Sequence, residues 1–361
     1  MITVVGAGPI GLLLSILLAR SGFNVVVYEE DSRVGYPEHC AGVISRRCYK
    51  LYTRVISNQD LILTRLKGVR VVLRDEVYEF KSSITKAYVV NRPLLDYKLY
   101  LKSLDYNVDI NLSRRIYKPY YNLIDRANPR YLIVASGAKQ LLLDSASSVL
   151  PAIQVDIKAS DEIIPGEVVE IGLVKEINDM YFTWVIPLGN SIYRVGTAYR
   201  YNPYKRLLSY IGWRGFKGRI IRRYSGLIVD GGPRRKFING RIIYVGDAAG
   251  QNKVTTGGGL YYGASASILL AKAIQNDNVR VYEVEWRRMF DREIKLQKVL
   301  RRIFLSINDG TLKNIFTILD KIEFFNILLH LGDMDYHSTS IIKLIMDAGI
   351  LSYLRGTSCR L

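Results

Sequence analysis

The chain has 361 residues, with 51 Lys+Arg, 33 Asp+Glu, three His and three Cys. At roughly 150 residues per domain the length predicts about two domains, and a hydrophobic share of 49% excludes disordered and collagen-like chains. No run reaches the ~18 uncharged apolar residues of a spanning helix, the apolar stretch near the start lacks the basic leader of a signal peptide, and Cys40, Cys48 and Cys359 are too few for a disulfide scaffold or an all-cysteine metal site. The cysteine count predicts a reducing, cytoplasmic setting.

In chain order, Ile2-Thr3-Val4-Val5 is a β-branched run ending at Gly6, and Pro9 to Arg20 carries a helical pattern stopped by Gly22. Val25-Val26-Val27-Tyr28 is apolar without alternation, as in a strand covered on both faces of a parallel sheet. Residues 69–90 alternate and are rich in Val and Tyr, the pattern of antiparallel strands. A helix is expected from Arg92 to Ser103, and another buried strand at Tyr131–Ala135, ending at Gly137. From 150 to 236 strands alternate with turns punctuated by Pro187-Leu188-Gly189-Asn190 and Gly231-Gly232-Pro233. Ile242–Val245 returns to the buried type, a glycine-rich turn leads into a helix near Gly258–Ile274, and residues beyond 281 read as helical. The parallel-type strands are scattered, which predicts an α/β chain with a discontinuous Rossmann-type domain (1–50, 88–145 and 237–280). An antiparallel-sheet domain (51–87 and 146–236) is inserted into it, and a helical region (281–361) follows.

Residues 200–241 hold twelve Lys/Arg against one acid, Asp230, more than half of the net charge of +18. Such a cluster attracts phosphate on a lipid headgroup, a nucleotide or a nucleic acid, and serves equally as a solvated surface. Tyr201, Tyr204, Tyr210, Trp213 and Tyr224 interleave the charges as stacking platforms would, but no recognisable nucleic-acid module accompanies them. A helix near Trp286–Phe304 with Arg288, Arg292, Lys295 and Arg302 reads as packed on one side and solvated or membrane-facing on the other.

Gly6-Ala7-Gly8-Pro9-Ile10-Gly11 fits G-x-G-x-x-G after a strand and at the opening of a helix. Gly6 permits the tight turn, Gly8 lets backbone approach a pyrophosphate, Gly11 allows close helix–strand packing, and the helix N-terminus supplies partial positive charge. Glu29, eighteen residues after Gly11, is placed to accept from a ribose hydroxyl; an acid there argues for NAD or FAD without a 2′-phosphate.

Gly246-Asp247-Ala248-Ala249-Gly250, followed by Thr255-Thr256-Gly257-Gly258-Gly259 at a helix start, resembles the second flavin-binding motif of the p-hydroxybenzoate-hydroxylase-like flavoproteins. Asn91-Arg92-Pro93 resembles their arginine-containing helix start. The segment Glu29 to Ser45, with Gly35, Pro37, Cys40 and Gly42, and the stretch Gly226 to Gly263 narrow the resemblance to the geranylgeranyl reductase family, archaeal type. That resemblance implies an FAD-dependent enzyme that saturates isoprenoid double bonds. It implies cofactor contacts at Gly6, Gly8, Pro9, Gly11, Glu29, Glu30, Cys40, Ala41, Arg92, Ala135, Gly137, Gly246, Asp247, Gly257, Gly258, Gly259 and Leu260. Cys40 and Trp184 are the catalytic candidates, and Phe182, Trp184 and Pro187 the substrate contacts.

The family motif Y-x-W-x-F-P stands here as Phe182-Thr183-Trp184-Val185-Ile186-Pro187, and Val229 and Val254 replace common prolines. Flavin-dependent halogenases carry a similar W-x-W-x-I-P, so a monooxygenase or halogenase on the same fold is the second reading. A flavoprotein that binds nucleic acid through 200–241 is the third. His39, His330 and His337 lack metal spacing, and no second G-x-G-x-x-G marks an NADPH site. The expected partners are an isoprenoid lipid or prenyl diphosphate, an external electron donor (NADPH or ferredoxin) and an anionic membrane surface.

Overall fold

A computed structural model describes residues 1–117 and 120–347; Cys359 and the last part of the expected helical region lie outside the described residues. The chain opens with β1 (Ile2–Val5), α1 (Pro9–Ala19), β2 (Val25–Tyr28), β3 (Val43–Ser45), α2 (Arg46–Thr53), β4 (Ile62–Leu66), β5 (Gly68–Val72), β6 (Val77–Lys81) and β7 (Ala87–Val90). It continues through α3 (Arg92–Leu104), β8 (Asp109–Asn111), α4 (Tyr121–Ala127), β9 (Tyr131–Val134), α5 (Lys139–Leu143), β10 (Val149–Ala159), β11 (Val168–Gly172), β12 (Thr183–Gly189) and β13 (Ile192–Ala198). Then come α6 (Pro203–Trp213), β14 (Gly218–Val229), β15 (Ile238–Asn239), β16 (Ile242–Tyr244), a 3-10 turn at Gly246–Ala249, and α7 (Leu260–Gln275). Helices α8 (Arg280–Ser306), α9 (Asp309–Lys321), α10 (Phe324–Leu331) and α11 (His337–Asp347) complete it.

The unbroken apolar runs form the first sheet, in the order β15-β16-β9-β1-β2-β8. Five of its strands run parallel, and β15 is an antiparallel edge. Ile2, Val4, Val27 and Leu132 to Val134 have no exposed surface, because helices cover both faces, as parallel sheets require. Pro9 opens α1, where its missing N–H costs nothing.

The alternating segments form a second sheet, β14-β10-β13-β12-β11-β5-β6. It is antiparallel except between β11 and β5, which pair parallel, so the inserted sheet is mixed. The stretch 69–90 is also split: β5 and β6 join this sheet, while β7 lies between β3 and β4 in a three-stranded one. One face of the seven-stranded sheet is closed by α6, with Leu207 and Tyr210 against Val155, Ile157 and Val195. The other faces the small sheet through Trp184, Ile186, Ala198, Leu66 and Val89.

Helix α8 buries Tyr282, Trp286, Phe290, Glu293, Ile294 and Gln297, whose three- and four-residue spacings make one stripe. Its Arg288, Arg292, Lys295 and Arg302 are exposed. Among the described residues, no helix is long and apolar enough to cross a membrane.

Candidate functional site

Gly6, Glu29, Ala135 to Gly137, and Gly246 all follow the carboxyl ends of parallel strands β1, β2, β9 and β16, the edge where open α/β sheets bind ligands. Gly6 sits at φ +108°, and a Cβ there would come within 2.6 Å of the Ala135 carbonyl oxygen; one on Gly11 would lie 2.1 Å from that of Gly6. A Cβ on Gly8 would meet nothing within 4 Å. No side chain caps the α1 N-terminus that Gly8 begins. Gly6 and Gly11 therefore shape the turn, while Gly8 leaves an open cradle under uncapped N–H groups, which fits a pyrophosphate.

The Glu29 carboxylate accepts from the Ala7 N–H (2.6 Å) and the Asp31 N–H (3.0 Å). Burial raises its pKa above the ordinary carboxylate value, against the pull of these two bonds. The neighbouring Glu30 charge adds to that rise. Glu30 is exposed and pairs with Arg115 (3.0 Å) and Lys139 (3.7 Å) at the surface, because successive residues past a strand end point to opposite sides.

The second half of the site is the turn after β16 and the start of α7. Gly246 and Gly257 have φ of +68° and +69°. A Cβ on Gly259 would strike Asp247 Oδ1 at 2.4 Å, and no side chain caps α7. The Asp247 side chain makes no hydrogen bond or ion pair among the described residues; burial pushes its carboxyl up to about 6, opposed by the charge of Arg92. Arg92 opens α3 and pairs with Asp96 at 3.1 Å, both nearly buried. Burial works against its charge, but the Asp96 carboxylate outweighs that and keeps the guanidinium protonated. Cys40 also acts on Arg92; its Sγ accepts from the Gly42 N–H (3.4 Å), and its carbonyl accepts from Arg194 Nη1 (3.0 Å). The Leu260 carbonyl accepts from the Tyr52 hydroxyl at 3.4 Å. A half-buried carboxylate without a side-chain partner among the described residues, a cradle without a side chain and two uncapped helix N-termini form a donor and acceptor set that fits a flavin dinucleotide. Among the described residues no cluster of His, Cys, Asp and Glu could hold a metal ion.

Across from these loops lies the inner face of the seven-stranded sheet. Trp184 Nε1 donates to Gln154 Oε1 (3.3 Å), and its ring covers Gly196, where a Cβ would lie 2.4 Å away. Phe182 meets it edge-on at 5.9 Å, and Ala41, Ile186 and Ile228 share the cluster. Pro187 is not part of this face. It is paired opposite Tyr193, which packs on the α6 side, because alternation along β12 sends Trp184 and Pro187 opposite ways.

Several functional-type residues escape sequence reading. Arg194, on β13, holds Asp156 (2.8 Å) and Glu38 (2.6 Å) in a buried network joined by Tyr224. Lys253 is buried against Asp335 at 3.1 Å, and Asp335 also accepts from Ser45 Oγ. The buried Tyr181 hydroxyl, Gln154 Nε2 and Asn252 Oδ1 have no hydrogen-bond partner among the described residues. The only signal for Arg194 was a charged residue inside a buried strand pattern.

The basic segment 200–241 is dispersed rather than a single patch. Arg214 pairs with Glu170, Arg223 lies over Tyr204, and Arg234 reaches Asp144 on the far side, beside the first sheet. Arg222 and Arg223 with Tyr36, Glu38 and Tyr224 line a cavity of about 420 Å³.

Residues 4–37 match the NAD(P)-binding Rossmann-like domain model. An uncharacterised protein of Methanocaldococcus jannaschii is 25% identical over 97% of this chain and 96% of its own length. Digeranylgeranylglycerophospholipid reductase 1 of Methanococcoides burtonii is 23% identical over 90% of this chain and 88% of the relative. Among solved structures, a geranylgeranyl bacteriochlorophyll reductase-like protein of Thermoplasma acidophilum superposes with a TM-score of 0.76 at 18% identity, covering 95% of both chains. The flavin-dependent brominase Bmp2, as a triple mutant, reaches 0.69 at 15% identity over 98% of this chain and 99% of its own. The resemblance to the geranylgeranyl reductase family carried by the glycine motifs thus holds over 90% of the chain, on a fold shared with flavin-dependent enzymes.

Proposed function

We propose that this protein is an FAD-dependent reductase that saturates geranylgeranyl-type double bonds in membrane lipid or its precursors. One juxtaposition carries the reading: the second glycine loop meets, at Gly257 and Ile228, an apolar face that also holds Ala41, Phe182, Trp184 and Ile186. Relatives named for reducing digeranylgeranylglycerophospholipids, similar over about nine-tenths of the chain, support it.

FAD, once reduced, supplies the hydride for one carbon of the alkene. Gly8 and the α1 N-terminus hold its pyrophosphate, Glu29 accepts from the adenosine ribose, and Asp247 accepts from the ribitol hydroxyls. Arg92, charge-paired with Asp96, gives the site a fixed positive group. An isolated alkene offers no charged handle, so the Trp184 face binds the chain by apolar area, at about 25 cal/mol per Å² buried. Cys40, whose carbonyl accepts from Arg194, relays the proton to the second alkene carbon. We assign the cavity bordered by Arg222 and Arg223 to the anionic headgroup or diphosphate, and the exposed basic side of α8 to the membrane surface. Electrons come from an external donor, NADPH or ferredoxin.

The deciding experiment is anaerobic incubation of the FAD-loaded protein with dithionite and a digeranylgeranylglycerol phospholipid, read by mass spectrometry. The reductase reading requires the gain of two hydrogens per saturated bond. In a parallel aerobic incubation with NAD(P)H, oxygen-dependent NAD(P)H oxidation with no saturated product would assign the monooxygenase or halogenase chemistry instead. Similarity to the brominase speaks for the fold alone.

A further inference from the structure

Tyr181 is 1% exposed, and its hydroxyl has no hydrogen-bond partner among the described residues. A buried hydroxyl left unpaired is costly, so it calls for a ligand or another explanation. The hydroxyl lies at the glycine loop: a Cβ on Gly257 would be 3.3 Å from it. Gly257 itself is in the left-handed region at φ +69°, so the loop presents backbone and no side chain there.

The ring is held on both sides. Phe182 stacks on it with centroids 4.5 Å apart and planes 21° from parallel. The Arg301 guanidinium covers it at 5.3 Å, itself anchored to Asp230 (2.9 Å) and to the Met180 carbonyl (3.3 Å). The Tyr181 N–H donates to Asn178 Oδ1, which also accepts from the Met180 N–H, so the backbone is pinned too. A hydroxyl so oriented cannot turn elsewhere for a partner. At the other end of the loop, Asn252 Oδ1 is a second buried orphan, beside Gly259 and tied through its amide to the Val229 carbonyl.

We propose that the Tyr181 hydroxyl is a hydrogen-bond donor to the flavin ring bound against the Gly257–Gly259 loop. The inference rests on the FAD reading above and adds to it a ring contact one residue before the altered motif. A ring edge carrying both carbonyl acceptors and an N–H donor suits a loop bracketed by an orphan donor and an orphan acceptor. Its carbonyl takes the Tyr181 proton in a hydrogen bond with no transfer, so the contact needs no additional reactant.

Tyr181→Phe removes one oxygen and leaves both stacking partners in place. The wild type and the variant are compared for FAD affinity by titration of the apoprotein, for the visible spectrum of the bound flavin, and for apoprotein Tm. The expected result is about tenfold weaker FAD binding, the equivalent of 1.4 kcal/mol, a shifted visible band, and an apoprotein Tm equal to or above that of the wild type. Unchanged affinity with an unchanged spectrum would overturn the role of Tyr181 and leave the FAD reading intact. Failure of the wild type itself to bind FAD would overturn both.

Discussion

Replacing Asp247 with Asn should stabilise the apoprotein while weakening its hold on FAD. Raising this carboxyl from its ordinary 3.8 to about 6 corresponds to about 3 kcal/mol lost when it ionises in the folded apoprotein. The residue is partly exposed, and discounting for solvent leaves about 2 kcal/mol. The sign follows from proton counting: between pH 4 and 6 the folded chain binds more protons than the unfolded one, so stability falls as pH rises through that window. Asn carries no charge, so the variant gains nothing at pH 4 and the full difference above pH 7. With an unfolding entropy of roughly 2.1 cal/mol/K per residue, that difference is about 3 °C in Tm. Differential scanning fluorimetry of apoproteins at pH 4.5 and 8, with FAD titrations, measures both effects. An Asp247→Asn apoprotein no more stable than the wild type at pH 8, or one that binds FAD equally well, would refute an unpartnered carboxylate awaiting the ribitol.

Gly8→Val should abolish FAD binding without altering apoprotein Tm, since a side chain at Gly8 meets open space; a variant that retains full flavin breaks the assignment of the loop. Trp184→Phe should keep its flavin content and change the product pattern, counted as saturated bonds per lipid; an identical pattern removes Trp184 from the substrate face. Cys40→Ser should lower the reduction rate with flavin still bound, and an unchanged rate returns Cys40 to a packing role.

Local chemistry was legible in the sequence; distant partnership was not. The β1–α1 turn could be read because Gly6, Gly8 and Gly11 act on their own neighbours, and the strand types of β2, β9 and β16 followed from unbroken apolar runs. The motif Phe182–Pro187 misled as a unit, because pleating divides it between two faces once β12 is paired. Arg194 meets Asp156 across 38 residues and Glu38 across 156, and no periodicity announces such pairs. The basic run 200–241 looked continuous, yet β14 and the return to β15 carry its parts to different surfaces. Phe182 was noted for its missing hydroxyl, while the neighbouring Tyr181 drew no notice, since only burial shows that its hydroxyl lacks a partner.

The pairing of Lys253 with Asp335 imposes an order on biosynthesis. The partners are 82 residues apart, and a ribosome adding ~5–20 residues per second separates their appearance by about 4–16 s. Through that interval the lysine has no counter-charge, and seating it beside Gly258 would bury a lone ammonium, which costs several kcal/mol. The seated position of Lys253 therefore depends on the segment around Asp335, which also engages Ser45 and, through its carbonyl, Tyr262. The second glycine loop is thus held by residues far from every glycine motif. Nascent chains arrested short of Asp335 should carry no flavin, and those released beyond it should acquire it.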